Sequence, residues 1–222
     1  MVHVLELLGC IANGPTTEDA LDATPEAIRA FLRFMKRNGE AVDPEEPFTT
    51  SVAEHVMEGD WLGNGSPYLV FGPDLVPITG DEIEALFRRF ERLREEIAGW
   101  AEKQGDEQLE RVPAAGGRSA RAILLHVLGP TGAYLATAVG GTTGFSRIHT
   151  LAERGEMPVA AALRQTASMA AERALATTPE QRSAIIQRPK DVRTLRKAIR
   201  RTLEHDWEHL AELSRRPGGP KL

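Results

Sequence analysis

The sequence predicts an α+β protein that is predominantly helical, with a small α+β module over residues 1–78 followed by a four-helix bundle over residues 79–222. Three observations predict it. The hydrophobic period changes at Thr79 from short strand-like runs to long helical stripes. The charge changes at the same place: the first 78 residues carry thirteen Asp and Glu against four Lys and Arg, a net −9, whereas the remainder, with 23 basic and 19 acidic residues, is +4. Four segments of helical spacing follow Thr79 with no repeat of solenoid period, which favours a bundle over an array.

In chain order, Val2, Val4 and Leu7 form a short apolar run that turns through Asn13-Gly14-Pro15. A helix follows, capped by Thr17 or Thr24 with Pro25 in its first turn, carrying Ala27, Ile28, Phe31, Leu32 and Met35 to a stop at Asn38-Gly39. Phe48–Val56 and Tyr68–Val76 read as strands separated by the Gly-rich turn 59–67. Thr79 and Glu82 form a capping box that opens the first long helix, with Ile83, Leu86, Phe90, Leu93, Ile97 and Trp100 on one stripe. After a polar interval from Gly105 to Gly117, Ser119 starts a second helix that carries Ile123, Leu124, Val127, Tyr134 and Ala138. Pro130 is expected to bend it and Gly140-Gly141 to end it. Residues 158–177, closed by Thr178-Pro179, make the third helix, and residues 191–215 the fourth, with no convincing strand in this half.

Composition narrows the function. Apolar residues at 41% and charged residues at 27% exclude a disordered or collagen-like chain. The longest apolar runs, such as 120–127, fall short of the roughly 20 residues of a membrane span, and no basic segment precedes Val2. The expectation is a soluble, cytoplasmic protein without a membrane partner. The single cysteine, Cys10, excludes an internal disulfide and a thiolate zinc cluster, so a metal site must use His and carboxylates. The acidic first module argues against a nucleic-acid grip there. It is either an ordinary solvated face or the complement of a basic surface, on another protein or in the second half of this chain.

Two of six histidines form a motif. His205 and His209 lie four apart, so on a helix they project from one face about one turn apart. Leu195, Ile199, Thr202 and Leu213 fall within about 80° of His209 on a helical wheel, so the pair is expected to face inward, although an exposed pair on a charged helix gives the same spacing. Buried imidazoles need partners, and a shared divalent ion is one. His126, within the apolar stretch Ile123–Leu128, is expected to be neutral, either as a satisfied core histidine or as a third ligand. Facing helices two and four would bring His126, His205 and His209 together with a coordination position left open.

These residues carry a resemblance. Ser119-Ala120-Arg121-Ala122-Ile123-Leu124-Leu125-His126 and Arg201-Thr202-Leu203-Glu204-His205-Asp206-Trp207-Glu208-His209-Leu210 resemble the DinB-like family of four-helix-bundle metalloproteins, over about residues 79–216. The resemblance implies metal ligation by His126, His205 and His209, a long crossover between helices two and three, a homodimer, and one divalent ion, nickel or zinc. Some relatives are S-transferases or isomerases that use a low-molecular-weight thiol as co-substrate, and many others have no assigned reaction. Leu8-Gly9-Cys10-Ile11-Ala12-Asn13-Gly14-Pro15 through Pro25-Glu26-Ala27-Ile28 resembles the strand-turn-helix of HicB-like domains, the antitoxin partners of RNA-cleaving toxins. Here Leu8 stands where that family often has Pro, and no DNA-binding segment follows, so direct nucleic-acid binding and a toxin-like partner are not expected. Capping the site or building a dimer is the preferred role for this module.

The remaining candidates are weaker. Cys10 is expected to be a buried structural thiol, His149 a solvent-facing loop residue that could reach a ligand, and His3 and His55 to lack partners at metal-site spacing. Trp207 is expected to pack on a neighbouring helix or on the first module. Glu204, Asp206 and Glu208 are either solvated or orient an imidazole and accept a proton. The resulting expectation is a divalent-metal protein acting as a thiol S-transferase on a small electrophile. The alternatives are a metal-dependent hydrolase and a non-enzymatic interaction protein.

Overall fold

The computed structural model describes residues 1–114, 116–141 and 143–222, so residue 115 of the expected polar interval lies outside the described residues. Strand β1 (Val2–His3) pairs antiparallel with β2 (Ile11–Ala12), Val2 opposite Ala12 and His3 opposite Ile11. Helix α1 (Thr17–Arg37) follows and ends at Asn38-Gly39 as expected. Its cap is Thr16, not Thr17 or Thr24. Thr16 and Asp19 bond each other's amides reciprocally at 3.1 Å, which satisfies two otherwise free donors earlier in the chain. Thr24 lies buried inside the helix with its hydroxyl donating to the Ala20 carbonyl, and Pro25 is interior as well.

Phe48–Val56 and Tyr68–Val76 are not strands, and Gly72–Leu75 is a 3-10 turn. A strand must pair its amides and carbonyls along a ladder. In the second stretch the carbonyls of Tyr68, Leu69 and Val76 instead accept from Lys197, Arg200 and Arg196, and just before the first stretch those of Pro44 and Glu46 accept from Arg29. Pro47, Pro67 and Pro73 have no amide to contribute.

Helix α2 (Gly80–Gln104) starts at the Thr79–Glu82 capping box, with amide-to-side-chain distances of 2.8 and 3.2 Å. A short α3 (Asp106–Glu110) leads to α4 (Ala120–Val139), capped by Ser119 at 3.1 Å from the Ala122 amide and ended by Gly140, whose φ of +71° suits glycine. The crossover contains α5 (Phe145–Glu153), then α6 (Val159–Leu175) and α7 (Pro179–Ser183). Thr178 caps α7 rather than closing α6. Residues 191–193 are not helical: β3 (Ile186–Arg188) and β4 (Asp191–Arg193) form a hairpin, and α8 (Leu195–Ser214) begins after Thr194, which accepts from the Lys197 amide at 3.1 Å.

Helix α2 packs chiefly on α6 and also on α8, and α4 packs on α8 and α6, so the four long helices close a ring in the order α2, α6, α4, α8. One buried arginine ties them together. Arg94 of α2 donates through Nε to Asp206 of α8, through Nη1 to Thr166 of α6 at 2.9 Å, and through Nη2 to Thr131 at 2.6 Å and the Val127 carbonyl at 3.1 Å, both on α4.

Helix α4 corrects the reading of short apolar runs, since it is long and apolar enough, by length and composition, to cross a membrane. Gly129-Pro130 interrupts the apolar run without ending the helix. Here α4 packs among α5, α6 and α8, as a helix apolar on most sides must bury several of them.

The apolar core does not stop at Thr79. Cys10, Ile11, Phe31 and Phe34 join Ile97, Ile123, Leu124 and Leu210 in one cluster around Trp207, which is 2% exposed, edge-on to Phe31 at 4.8 Å and tilted to Phe34 at 5.5 Å between centroids. The acidic first segment likewise meets basic groups of the same chain, Glu40 at Arg89 and Asp74 at Arg200.

Candidate metal centre

Helix α8 is buried along most of its length although twelve of its twenty side chains are polar. Its charges are therefore paired. Lys197 reaches Asp191 at 2.7 Å, Arg200 bonds both Asp74 and Glu204, and Arg201 donates to Glu204 at 2.7 Å. His3 Nδ1 lies 2.9 Å from the same Glu204 carboxylate, a partner that its sequence context did not reveal. Burial works to raise the Glu204 carboxyl, but the charges of Arg200, His3 and Arg201 outweigh it and hold the group at about 2.

One and two turns beyond Arg201 come His205 and His209, 7% and 6% exposed, facing inward as expected with ring centroids 4.6 Å apart. Because α4 packs along α8, His126 meets both, at centroid distances of 5.0 and 4.9 Å. The three rings converge so that one nitrogen of each lies within 4.8 Å of the others, and the Nε2 atoms of His126 and His205 are 3.2 Å apart. Three nitrogens at about 2.0–2.1 Å from a tetrahedral ion are roughly 3.3 Å from one another, so this donor set fits one divalent cation. His126 departs from the core-histidine expectation. Its ring is exposed, at the mouth of the site, while the pair from α8 forms the interior wall.

Protonation suits ligation. Burial pushes His205 down to about 4 against the opposing pull of Asp206, and partial desolvation at the mouth, followed by the nearby His209 ring and the Arg118 guanidinium, lowers His126. Lone pairs are therefore available near neutral pH. His209 Nδ1 is 2.8 Å from Glu212, which also accepts from Arg118 at 2.8 Å, so Nε2 is the atom left for a ligand role. Asp206 lies 3.7 Å from His205 Nδ1, an electrostatic neighbour whose main partner is Arg94. Of the three expected carboxylates, Glu204 serves the arginines and Asp206 serves Arg94. Glu208 lines the site and accepts from Asn13 at 3.3 Å. Glu212 was missed, although its position three residues after His209 was a usable signal.

A cavity of about 220 Å³ opens beside the histidines. Pro130, Tyr134, Arg201 and Glu208 line it with the three rings, and Asn64 and Gly65 of the first segment complete the wall. Arg201 and Tyr134 also escaped the sequence reading. Arg201 precedes His205 by four residues and Tyr134 follows His126 by eight, both on the ligand faces of their helices. A larger cleft of about 1090 Å³ between the β1–β2 hairpin, α1 and residues 48–57 contains none of the three converging rings. His55 is exposed, His149 is half-buried on α5 rather than in a loop, and neither lines the histidine cavity. Cys10 is fully buried and its thiol is pushed up to about 12, first by burial and then by Glu204.

Comparison with known families matches residues 89–213, more than half of the chain, to the DinB superfamily, a span that includes all three histidines. No curated protein and no solved structure gave a match.

Proposed function

The chain belongs to the DinB superfamily, and from that premise we propose that it holds one divalent ion, nickel or zinc, through His126, His205 and His209, and uses it to transfer a small thiol to an electrophile. The observation that carries this reading is the convergence of three imidazole nitrogens within 4.8 Å at the edge of a cavity. Imidazole donors suit both metals. A divalent ion bound there would lower the pKa of a substrate thiol or of water toward neutrality.

The chain's own groups have distinct parts in this reading. Burial keeps the His205 ring neutral near pH 7, and the Glu212 carboxylate orients His209, so the two rings of α8 would present nitrogens to a bound ion. The Glu208 carboxylate, in the cavity wall, takes the proton released from the thiol. Pro130 and the Tyr134 ring exclude water from one side. Residues 1–78, with their HicB-like resemblance, serve as the cap: Asn64 and Gly65 supply wall, and Asn13 holds Glu208.

Elemental analysis of the full chain, purified without a metal-affinity tag, is expected to give close to one ion per chain and almost none in His205→Ala. Unchanged occupancy in that variant removes the histidines from the proposal. Consumption of a test electrophile is expected to require both metal and added thiol. Dependence on metal without thiol favours hydrolysis, and dependence on neither leaves a binding protein.

A further inference from the structure

The polar wall of the histidine cavity contains a guanidinium whose donors are incompletely used. Arg201 is 2% exposed and lines the cavity. Its Nη1 donates to Glu204 at 2.7 Å and its Nη2 to the Gly65 carbonyl at 2.8 Å. Its Nε has no partner, and among the described residues it is the one buried side-chain nitrogen or oxygen in that state. The contrast with its neighbours is direct, since all three nitrogens donate in both Arg94 and Arg200. A buried charged donor left without an acceptor costs free energy that an anionic oxygen would recover.

The surroundings maintain this arrangement. Gly65, at φ +70°, lies flush on the guanidinium, and a Cβ there would stand 2.8 Å from Nη2, so a side chain would push into Arg201. The Tyr134 ring supports the guanidinium carbon from another side at 5.6 Å. Asn64, in the same loop as Gly65, adds an amide to the wall.

We propose that Arg201, with Asn64 and Tyr134, forms the subsite for the carboxylate of a small organic acid whose other end reaches the three histidines. The inference rests on the metal reading for the identity of the reacting end and deepens it by naming the substrate class. Size agrees: 220 Å³ is the share of roughly seven water molecules at about 30 Å³ each, room for a short acid and not for a nucleotide. Charge favours a carboxylate over a phosphate dianion, because one guanidinium faces the ligand and the Glu208 carboxylate already lines the same space.

The test is ligand-observed NMR with acetate, acetamide and inorganic phosphate on the full chain, metal-free and zinc-loaded, with zinc content measured first. Acetate is expected to bind in preference to acetamide and phosphate. Arg201→Gln is expected to weaken acetate roughly 10- to 100-fold while keeping one zinc per chain, and Arg201→Lys is expected to recover part of the loss. Asn64→Asp, at an exposed position, is expected to weaken acetate by placing a like charge in the wall and so reads the subsite if Arg201→Gln does not fold. Equal binding of acetate and acetamide, or acetate affinity unmoved by Arg201→Gln and Asn64→Asp, overturns the subsite even where zinc binds. Preference for phosphate overturns the carboxylate assignment. Failure to bind zinc, with acetate still lost in the variants, overturns the metal reading and leaves the anion subsite standing.

Discussion

Two regions of α8 bury polar groups in opposite ways. Around Arg94 and Asp206 the bundle is sealed: all three guanidinium nitrogens are used, by acceptors on three other helices, and nothing is left for a ligand. Around Arg201, His205 and His209 the same helix leaves donors and lone pairs unspent beside a cavity. The difference teaches which buried polarity holds the fold and which is kept for chemistry. Saturated networks specify an arrangement of helices, whereas an unsaturated one is tolerated where a ligand completes it.

Breaking the sealed side is expected to have the largest effect. Arg94→Met strands the Asp206 carboxylate in the interior and should cost about 3–5 kcal/mol of stability in urea denaturation. Arg201→Met should cost less by at least about 1 kcal/mol, because Glu204 keeps Arg200 and His3 as partners. Equal losses would make Arg201 a fold residue and erase the comparison.

On the open side, Glu212→Gln weakens the acceptor that aims His209 and should lower zinc affinity roughly 10- to 100-fold in a chelator competition. The same variant should leave urea stability of the metal-free chain within about 0.5 kcal/mol, since Glu212 is only half-buried.

The pH dependence sharpens the contrast at smaller amplitude. Burial works to raise the Asp191 carboxyl, but hydrogen bonds from Lys197 and Arg193 outweigh it and hold the group below its ordinary range. A depressed carboxyl contributes stability that is complete above its unfolded value near 4 and lost as pH falls through the lower folded value. Asp191→Asn should therefore flatten the acid limb of a stability profile below about pH 4 and leave zinc content at pH 7 unchanged. Smallest of all is the expected reaction of Cys10. With its thiol near 12, alkylation at pH 8 should proceed only at the rate of unfolding, and fast labelling of the native chain would show that the sealed core opens there.

Local signals in the sequence located much of this molecule. Thr79 and Ser119 fixed the starts of α2 and α4 because a cap is decided by residues within one turn, and Gly140 fixed an end for the same reason. His205 and His209 were legible as a pair, and the helical wheel oriented them, because helix geometry alone sets that relation. The strands expected at 48–56 and 68–76 failed because pairing is a long-range property, and in 68–76 three carbonyls found two arginines and a lysine of α8 instead of a ladder.

What the sequence determined by itself was therefore periodic and local: a mostly helical chain, its main caps, and a two-histidine face waiting for a third ligand. Tertiary packing alone decided that His126 stands at the mouth rather than in the core, that Glu212 aims His209, and that Asn64 and Gly65 close a cavity whose other walls come from α4 and α8, far along the chain. The physical reason is that burial, charge pairing and the shape of a cavity depend on which surfaces meet, and no spacing within one segment encodes that meeting.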